Sequence, residues 1–302
     1  MKKENIVITS DFDGLKLDTL IYIPDEVKGI FQIAHGMSEN KERYEYFLNA
    51  LCKAGYVACI NDHRGHGKSV KDESDYGYFY DGTGKAVVDD IHQITLYLKK
   101  RFPNVPVTLF GHSMGSLVVR AYTSKYDKDI DNLIVCGSPS YNSASGFALK
   151  LLSFLKLIHG SDRAHSKLMD KLSTGNNDSK FPGTEVGRWL SVNEQNVKDY
   201  NANPLCGFSF TINGYQSLMH LMRQSYGKEG WNLNNPDLKI LFISGGDDPC
   251  MGDKESWLKA IEDIKAKGYQ NVESKLYEGY RHEILNEEIR DDVISDILDY
   301  IK

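Results

Sequence analysis

Basic charge is in short supply. The 302 residues carry 36 lysines and arginines against 42 aspartates and glutamates, a net charge of -6, which leaves no electrostatic footprint for DNA or RNA. No nucleic-acid partner is expected. Long apolar runs are also missing, since no stretch approaches the roughly 20 residues that span a bilayer. The opening MKKENIVITSDFDG is basic at its start but has no apolar segment of the signal-peptide kind. A soluble, cytoplasmic protein without a transmembrane segment is the expectation. Cysteine is sparse, odd in number and scattered (Cys52, Cys59, Cys136, Cys206, Cys250), with no CxxC pair, so it reads as buried reduced thiols rather than a metal or redox site. Internal repeats and low-complexity segments are absent.

What is present alternates. Two segments, 4–9 and 15–23, flank Asp13-Gly14, a pair that favours an antiparallel hairpin. Apolar stretches at 30–34, 56–61, 105–110 and 132–136 then alternate with amphipathic ones near 44–54, 84–100 and after 113. This is the rhythm of parallel strands joined by crossover helices. It breaks for roughly 100 residues and resumes with a strand at 238–243, a helix near 254–266, a strand at 272–277 and a helix from 287, so 141–232 reads as a helical insertion after the sixth strand. A core of 1–140 with 233–302, interrupted by this insertion, is the expected organisation. Within the insertion, FALKLLSFLKLIHG gathers Phe147, Leu151, Phe154 and Leu155 on one side of a helix. Such a stripe serves ordinary packing, an acyl-chain wall or transient membrane contact.

The sharpest local feature is Gly111-His112-Ser113-Met114-Gly115. An apolar strand precedes it and a helical pattern follows, so the chain must reverse within five residues. The pattern fits a nucleophile elbow, where flanking glycines make room for a strained serine with an exposed hydroxyl; a tight structural turn is the plain alternative. A serine hydroxyl needs an adjacent base, and that base a carboxylate to fix its tautomer. KILFISGGDDPCMG supplies Asp247 and Asp248 beyond one strand, and VESKLYEGYRHEILNE supplies His282 beyond the next. Both lie where open α/β sheets place their ligand sites, and the order Ser, Asp, His is that of the elbow fold. Asp247 and Asp248 are not separable by residue chemistry alone. Backbone N–H donors for a developing oxyanion are expected at Met114, directly after the serine, and at Met37, presented by the His35-Gly36 turn after the third strand. His63 and His66 have the spacing of a weak metal pair but no evident third ligand, so no metal is expected.

Taken together these segments resemble the α/β-hydrolases of the monoacylglycerol lipase and lysophospholipase type, also described as serine aminopeptidase-like hydrolases. HGMSENKERYEYF is similar to that family's oxyanion loop, NDHRGHGKS to its DHRGHG-type loop, GHSMGS to its elbow, and WLSVNEQNVKDYNANPLCGF to a characteristic cap segment. The resemblance implies an α/β-hydrolase fold, a mostly parallel eight-stranded sheet flanked by helices with an inserted helical cap. It also implies a triad of Ser113, His282 and Asp248, the acid being the residue three after Gly245, with Met37 at the oxyanion position. One departure is Ser116, where the family often has a second glycine. The implied activity is cofactor-free ester hydrolysis; the apolar helix of the insertion, which can shield one chain, makes single-chain acyl esters the expected substrates, with Phe147, Leu151, Phe154 and Leu155 lining the acyl site. A small-ester carboxylesterase, an aminopeptidase drawing on Glu185, Glu194 or Asp199, and a non-catalytic binding protein are the alternatives.

Overall fold

The computed structural model describes residues 1–302. The elements are β1 (Lys2–Thr9), β2 (Lys16–Ile23), β3 (Gly29–Ala34), α1 (Glu45–Lys53), β4 (Tyr56–Asn61), α2 (Lys85–Arg101), β5 (Val107–His112), α3 (Met114–Tyr126), β6 (Asn132–Cys136), α4 (Ser145–His159), α5 (Lys167–Ser173), α6 (Glu194–Ala202), α7 (Ile212–Tyr226), β7 (Lys239–Gly245), α8 (Lys254–Lys265), β8 (Val272–Tyr277) and α9 (Arg290–Tyr300). The strands form one sheet in the order β1-β2-β4-β3-β5-β6-β7-β8. β1 pairs antiparallel with β2 and β2 antiparallel with β4, and every later pairing is parallel.

The inner strands β3, β4, β5 and β6 are buried along their whole length, as parallel strands covered on both faces must be. β1, at the edge, alternates exposed and half-buried residues. One apolar cluster lies on the side of α2, α3, α7 and α8, built from residues such as Ile91, Val118, Leu221 and Ile261. The other is on the α1 and α9 side, around Phe31, Phe47 and Ile297. Burial of this continuous apolar surface is the main favourable term in folding.

Helices α4 to α7 fall between β6 and β7. α7 packs on α3, and α4 lies against α7. Leu218, Met219, Leu221 and Met222 of α7 belong to the same apolar cluster as Val118 and Tyr122 of α3, so α7 is as much a floor of the inserted region as part of the main core. Thr211 caps α7 by accepting from the Gly214 N–H, while its own hydroxyl reaches Gly77 O at 2.9 Å. No helix is long and apolar enough to cross a membrane. All five cysteines are unpaired; Cys52, Cys59 and Cys136 are buried, whereas Cys206 and Cys250 are only partly so.

Candidate active site

β5 ends at His112 and α3 begins at Met114, which leaves a single residue to turn the chain. Ser113 makes that turn at φ 53°, ψ -117°, a conformation costing a residue with a side chain on the order of 1–3 kcal/mol. The glycines around it are required by contact. A Cβ on Gly115 would lie 2.1 Å from Ala34 O, and one on Gly111 would lie 2.3 Å from Gly115 O. The strain is held in place by Ser113 N–H donating to Cys136 O (2.9 Å) and by the Ser116 hydroxyl donating to Ser113 O (2.5 Å). Ser116, the departure from the resembled elbow, therefore braces the turn.

Asp248 follows β7 as the cap of a short 3-10 turn. Its Oδ1 accepts from Cys250 N–H (2.8 Å), and its Oδ2 accepts from the Ser244 hydroxyl (3.1 Å) and meets His282 Nδ1 at 2.9 Å. Both side chains of this pair are buried. Asp247 is exposed, with its N–H on Tyr280 O. The two carboxylates that sequence chemistry leaves equivalent thus sit in opposite environments. A Cβ on Gly245 would come 2.1 Å from Arg281 O, so the glycine lets the end of β7 touch the loop that carries His282.

Ser113, Met114, Met37 and His282 all line one cavity of about 860 Å³, within the size range of small-molecule sites. Met114 is the first residue of α3, where backbone N–H groups lack an intrahelical acceptor. No hydrogen bond joins the Ser113 hydroxyl to His282; such contacts commonly tighten only when substrate binds. Of the four apolar residues expected to line the site, Phe147 and Leu151 do so. Phe154 and Leu155 do not: they lie a further turn or more along α4, roughly 10 Å beyond Phe147 at 1.5 Å per residue. Phe154 is exposed, and Leu155 packs against the main apolar cluster. Glu185, Glu194 and Asp199 are exposed and off the cavity wall. Asp170 does line it, but its Oδ1 already accepts from the Tyr215 and Ser209 hydroxyls at 2.7 and 2.5 Å.

Behind the loop that carries Met37 is a buried charge network that the sequence barely signals. Glu39 Oε1 accepts from Gly36 N–H (2.5 Å) and the Tyr44 hydroxyl (2.9 Å), and its Oε2 accepts from Arg43 (2.8 Å). Arg43 also holds Glu283 through two bonds of 2.7 Å. Burial alone would raise the Glu39 carboxyl, yet the His112 hydrogen bond and the Arg43 charge hold it well below the usual range. Burial disfavours charge on His112 as well, but Glu39 outweighs it and raises that imidazole. The sequence signal was the Glu39/Arg43 spacing of four; its partner Glu283 is 240 residues away.

His35, His63 and His66 form a second buried group. His35 Nδ1 donates to Gly36 O (2.8 Å) and Nε2 accepts from His63 N–H (2.9 Å); His66 Nε2 accepts from Ser38 N–H (3.2 Å) while Nδ1 meets Arg64 O (3.1 Å). His66 is thus engaged with backbone groups on either side of its ring. Burial, followed by the neighbouring imidazoles, lowers His66 to about 3 and His63 well below its ordinary value, and burial lowers His35. A histidine whose folded value is depressed contributes stability in full above the unfolded value near 6.5 and loses it as pH falls toward the folded one. Below pH 6.5 the unfolded chain takes up protons more readily than these three rings do. His112, shifted the other way, opposes this with one ring, while His220, lowered by burial, adds to it. Each ring that stays neutral costs about 2 kcal/mol by pH 5. Urea unfolding should therefore show a marked loss of stability between pH 7 and pH 5, above the range where Glu39 and Glu283 titrate in the unfolded chain; equal stability at the two values would contradict it.

Asp248, Cys250 and His282 offer donor atoms within 4.8 Å of one another, as do Asp18, Glu42 and Asp62. The second set closes on the Lys41 ammonium at 2.6 to 2.9 Å. In the first, Asp248 and His282 already spend their facing atoms on each other.

The family model described as serine aminopeptidase, S33 (Hydrolase_4) matches residues 25–289. The chain is 24% identical over 295 residues to a monoacylglycerol lipase of Mycolicibacterium smegmatis, covering 95% of this chain and 93% of that protein. It is 25% identical over 287 residues to the monoglyceride lipase of Mus musculus, covering 91% and 82%. Among solved structures it is similar to a highly thermostable carboxyl esterase from Bacillus coagulans in complex with glycerol, with a TM-score of 0.91 at 25% identity and coverage of 100% and 98%.

Proposed function

Because the chain belongs to the serine aminopeptidase, S33 (Hydrolase_4) family, we propose that it is a serine hydrolase cleaving carboxylic esters of single-chain acyl lipids, monoacylglycerols or lysophospholipids, through an acyl-enzyme. Ser113 Oγ attacks the ester carbonyl as His282 Nε2 takes its proton, and Asp248 holds the opposite ring nitrogen. The N–H groups of Met37 and Met114 receive the negative charge that develops on the carbonyl oxygen. The C–O bond to the alcohol then breaks, and His282 returns the proton to the departing oxygen. Water, deprotonated by the same imidazole, releases the acid and frees Ser113. These steps need no cofactor.

The observation that carries this reading is the 2.9 Å contact of His282 Nδ1 with Asp248 Oδ2, on the wall of a cavity shared with a serine at positive φ. The substrate class rests on the cavity's apolar wall, where Phe147, Leu151, Leu218, Met219 and Met222 gather, and on the names of the relatives. Residues 141–232 act as the cap that shields the acyl chain. Phe154, Leu157 and Ile158, exposed on α4, suit transient contact with the lipid surface that delivers it.

A ladder of esters from two to sixteen carbons, extended to monoacylglycerols and lysophospholipids, tests the substrate class. A preference for medium or long single chains is expected. Leu151→Trp should raise KM for the longest ester about tenfold while sparing the shortest. Activity confined to the shortest esters would instead make the protein a small-ester carboxylesterase.

A further inference from the structure

The loop carrying His282 is bonded to the inserted region on both sides of the histidine. Ahead of it, the Arg281 guanidinium donates to Arg188 O (2.6 Å) and Ser191 O (3.1 Å). Directly after it, Glu283 N–H donates to Leu190 O (2.8 Å), and the Glu283 carboxylate accepts from Asn196 (2.7 Å). Five residues on, the Glu287 carboxylate accepts from the Ser191 hydroxyl (2.8 Å), Val192 N–H (2.9 Å) and Asn193 N–H (3.2 Å), while Asn193 donates to Asn286 O (3.1 Å). Between these anchors the Trp189 indole rests on the imidazole, ring centroids 4.9 Å apart.

Glu287, like Asp127, is a buried acid with no cationic side chain on it. It is 1% exposed, and its bonds come from hydroxyl and amide donors rather than from a cationic side chain. A buried carboxylate without a cation is costly, and burial raises this one against its donors. A hydrophobic side chain would fill the space more cheaply but could not hold three donors of one short segment in register. What the carboxylate secures is the position of 188–193 relative to His282, across nearly a hundred residues of chain.

Resting on the triad reading above, we propose that segment 188–193 is a clasp that orients His282 for proton transfer, with Glu287 and Arg281 as its positioning residues. The inserted region then serves the chemistry as well as the acyl chain. Misplacement of a reacting group by about 1 Å costs on the order of a hundredfold in rate, and an imidazole held at one nitrogen by Asp248 still needs its ring plane fixed from the other side.

The test is steady-state kinetics of the full chain with Glu287→Gln and Arg281→Met on a two-carbon aryl ester, which has no chain for the cap to hold, and on a long-chain ester. An orienting clasp predicts that kcat falls by the same factor, about tenfold to a hundredfold, on both esters, with KM within about twofold. An unchanged kcat on the short ester, with only the long-chain KM raised or only thermal stability lowered, would overturn the proposal. Ser191→Ala removes one bond and guards against misfolding of the other variants. It should lower kcat about threefold on both esters, with Ser191→Thr restoring it. His282→Ala, run alongside, separates the two levels: if it stays active, the triad reading fails, whereas a dead His282→Ala beside a fully active Glu287→Gln removes the clasp alone.

Discussion

Ser113→Ala should lower ester turnover by about a millionfold and leave the folded state intact. Both halves of that expectation come from the geometry. Only the hydroxyl is removed, and it sits on the cavity wall with His282 and the two candidate oxyanion donors, so its loss takes away the proposed attacking atom while binding and oxyanion stabilisation persist. Alanine keeps the Cβ that makes φ 53° unfavourable, so the strain of the elbow is unchanged. The bonds that hold the turn, from Ser113 N–H to Cys136 O and from Ser116 to Ser113 O, are made by backbone atoms of residue 113 and survive. Turnover with a soluble ester and a thermal melt on the same sample check this. Substantial residual activity would remove Ser113 from the mechanism, and a collapsed melting temperature would mean the hydroxyl has a structural partner.

Asp248→Asn should cost about ten-thousandfold in kcat, against less than about twofold for Asp247→Asn. Asp248 Oδ2 faces His282 Nδ1 and also accepts from Ser244. An amide nitrogen turned toward the ring would demand an acceptor at Nδ1, placing the proton on Nε2, where the base must be free to take the serine proton. Turned the other way, it would oppose the N–H of Cys250, which Oδ1 now accepts. The first orientation costs the tautomer the base requires, and the second leaves two donors facing each other. Asp247 is exposed and engages the fold through its backbone N–H on Tyr280 O, so amidation there changes little. A larger effect at Asp247 than at Asp248 would move the acid by one position.

The elements that could be read locally were those whose burial is uniform or whose turns are written in two residues. Asp13-Gly14 marked the hairpin of β1 and β2, and the apolar runs of β3, β4 and β6 coincide with fully buried strands. Boundaries drifted where chemistry overrode hydrophobicity. The expected strand from 105 runs from Val107 to His112, because Pro106 has no N–H to give to a ladder and contributes its carbonyl to Ile30 instead. Beyond one apolar helix and one segment resembling a family's cap, the inserted region announced itself as a broken rhythm. Its helices α5 and α6 span 7 and 9 residues, too short for a periodic signal. On α4 a single apolar stripe divides among three uses, with Phe147 and Leu151 at the cavity, Leu152 in the core, and Phe154 with Leu157 facing out. Spacing alone does not reveal where a cavity ends.

The candidate triad was legible because each member follows a strand end with a glycine within three residues. The residues that hold it were not, since Glu39, Arg43, Glu283 and Asn196 come from three distant segments, and Trp189 meets His282 from the far side of the insertion. Nothing within a short window distinguishes such residues from ordinary surface charge or a lone aromatic. Only the fold brings them together.

The most direct test of the central claim is to react the protein with a fluorophosphonate, which labels activated serines by losing fluoride, and to map the adduct by mass spectrometry. One adduct per chain, located on Ser113 and absent in His282→Ala, is the predicted result. An unlabelled chain, or a label on any other residue, would contradict it.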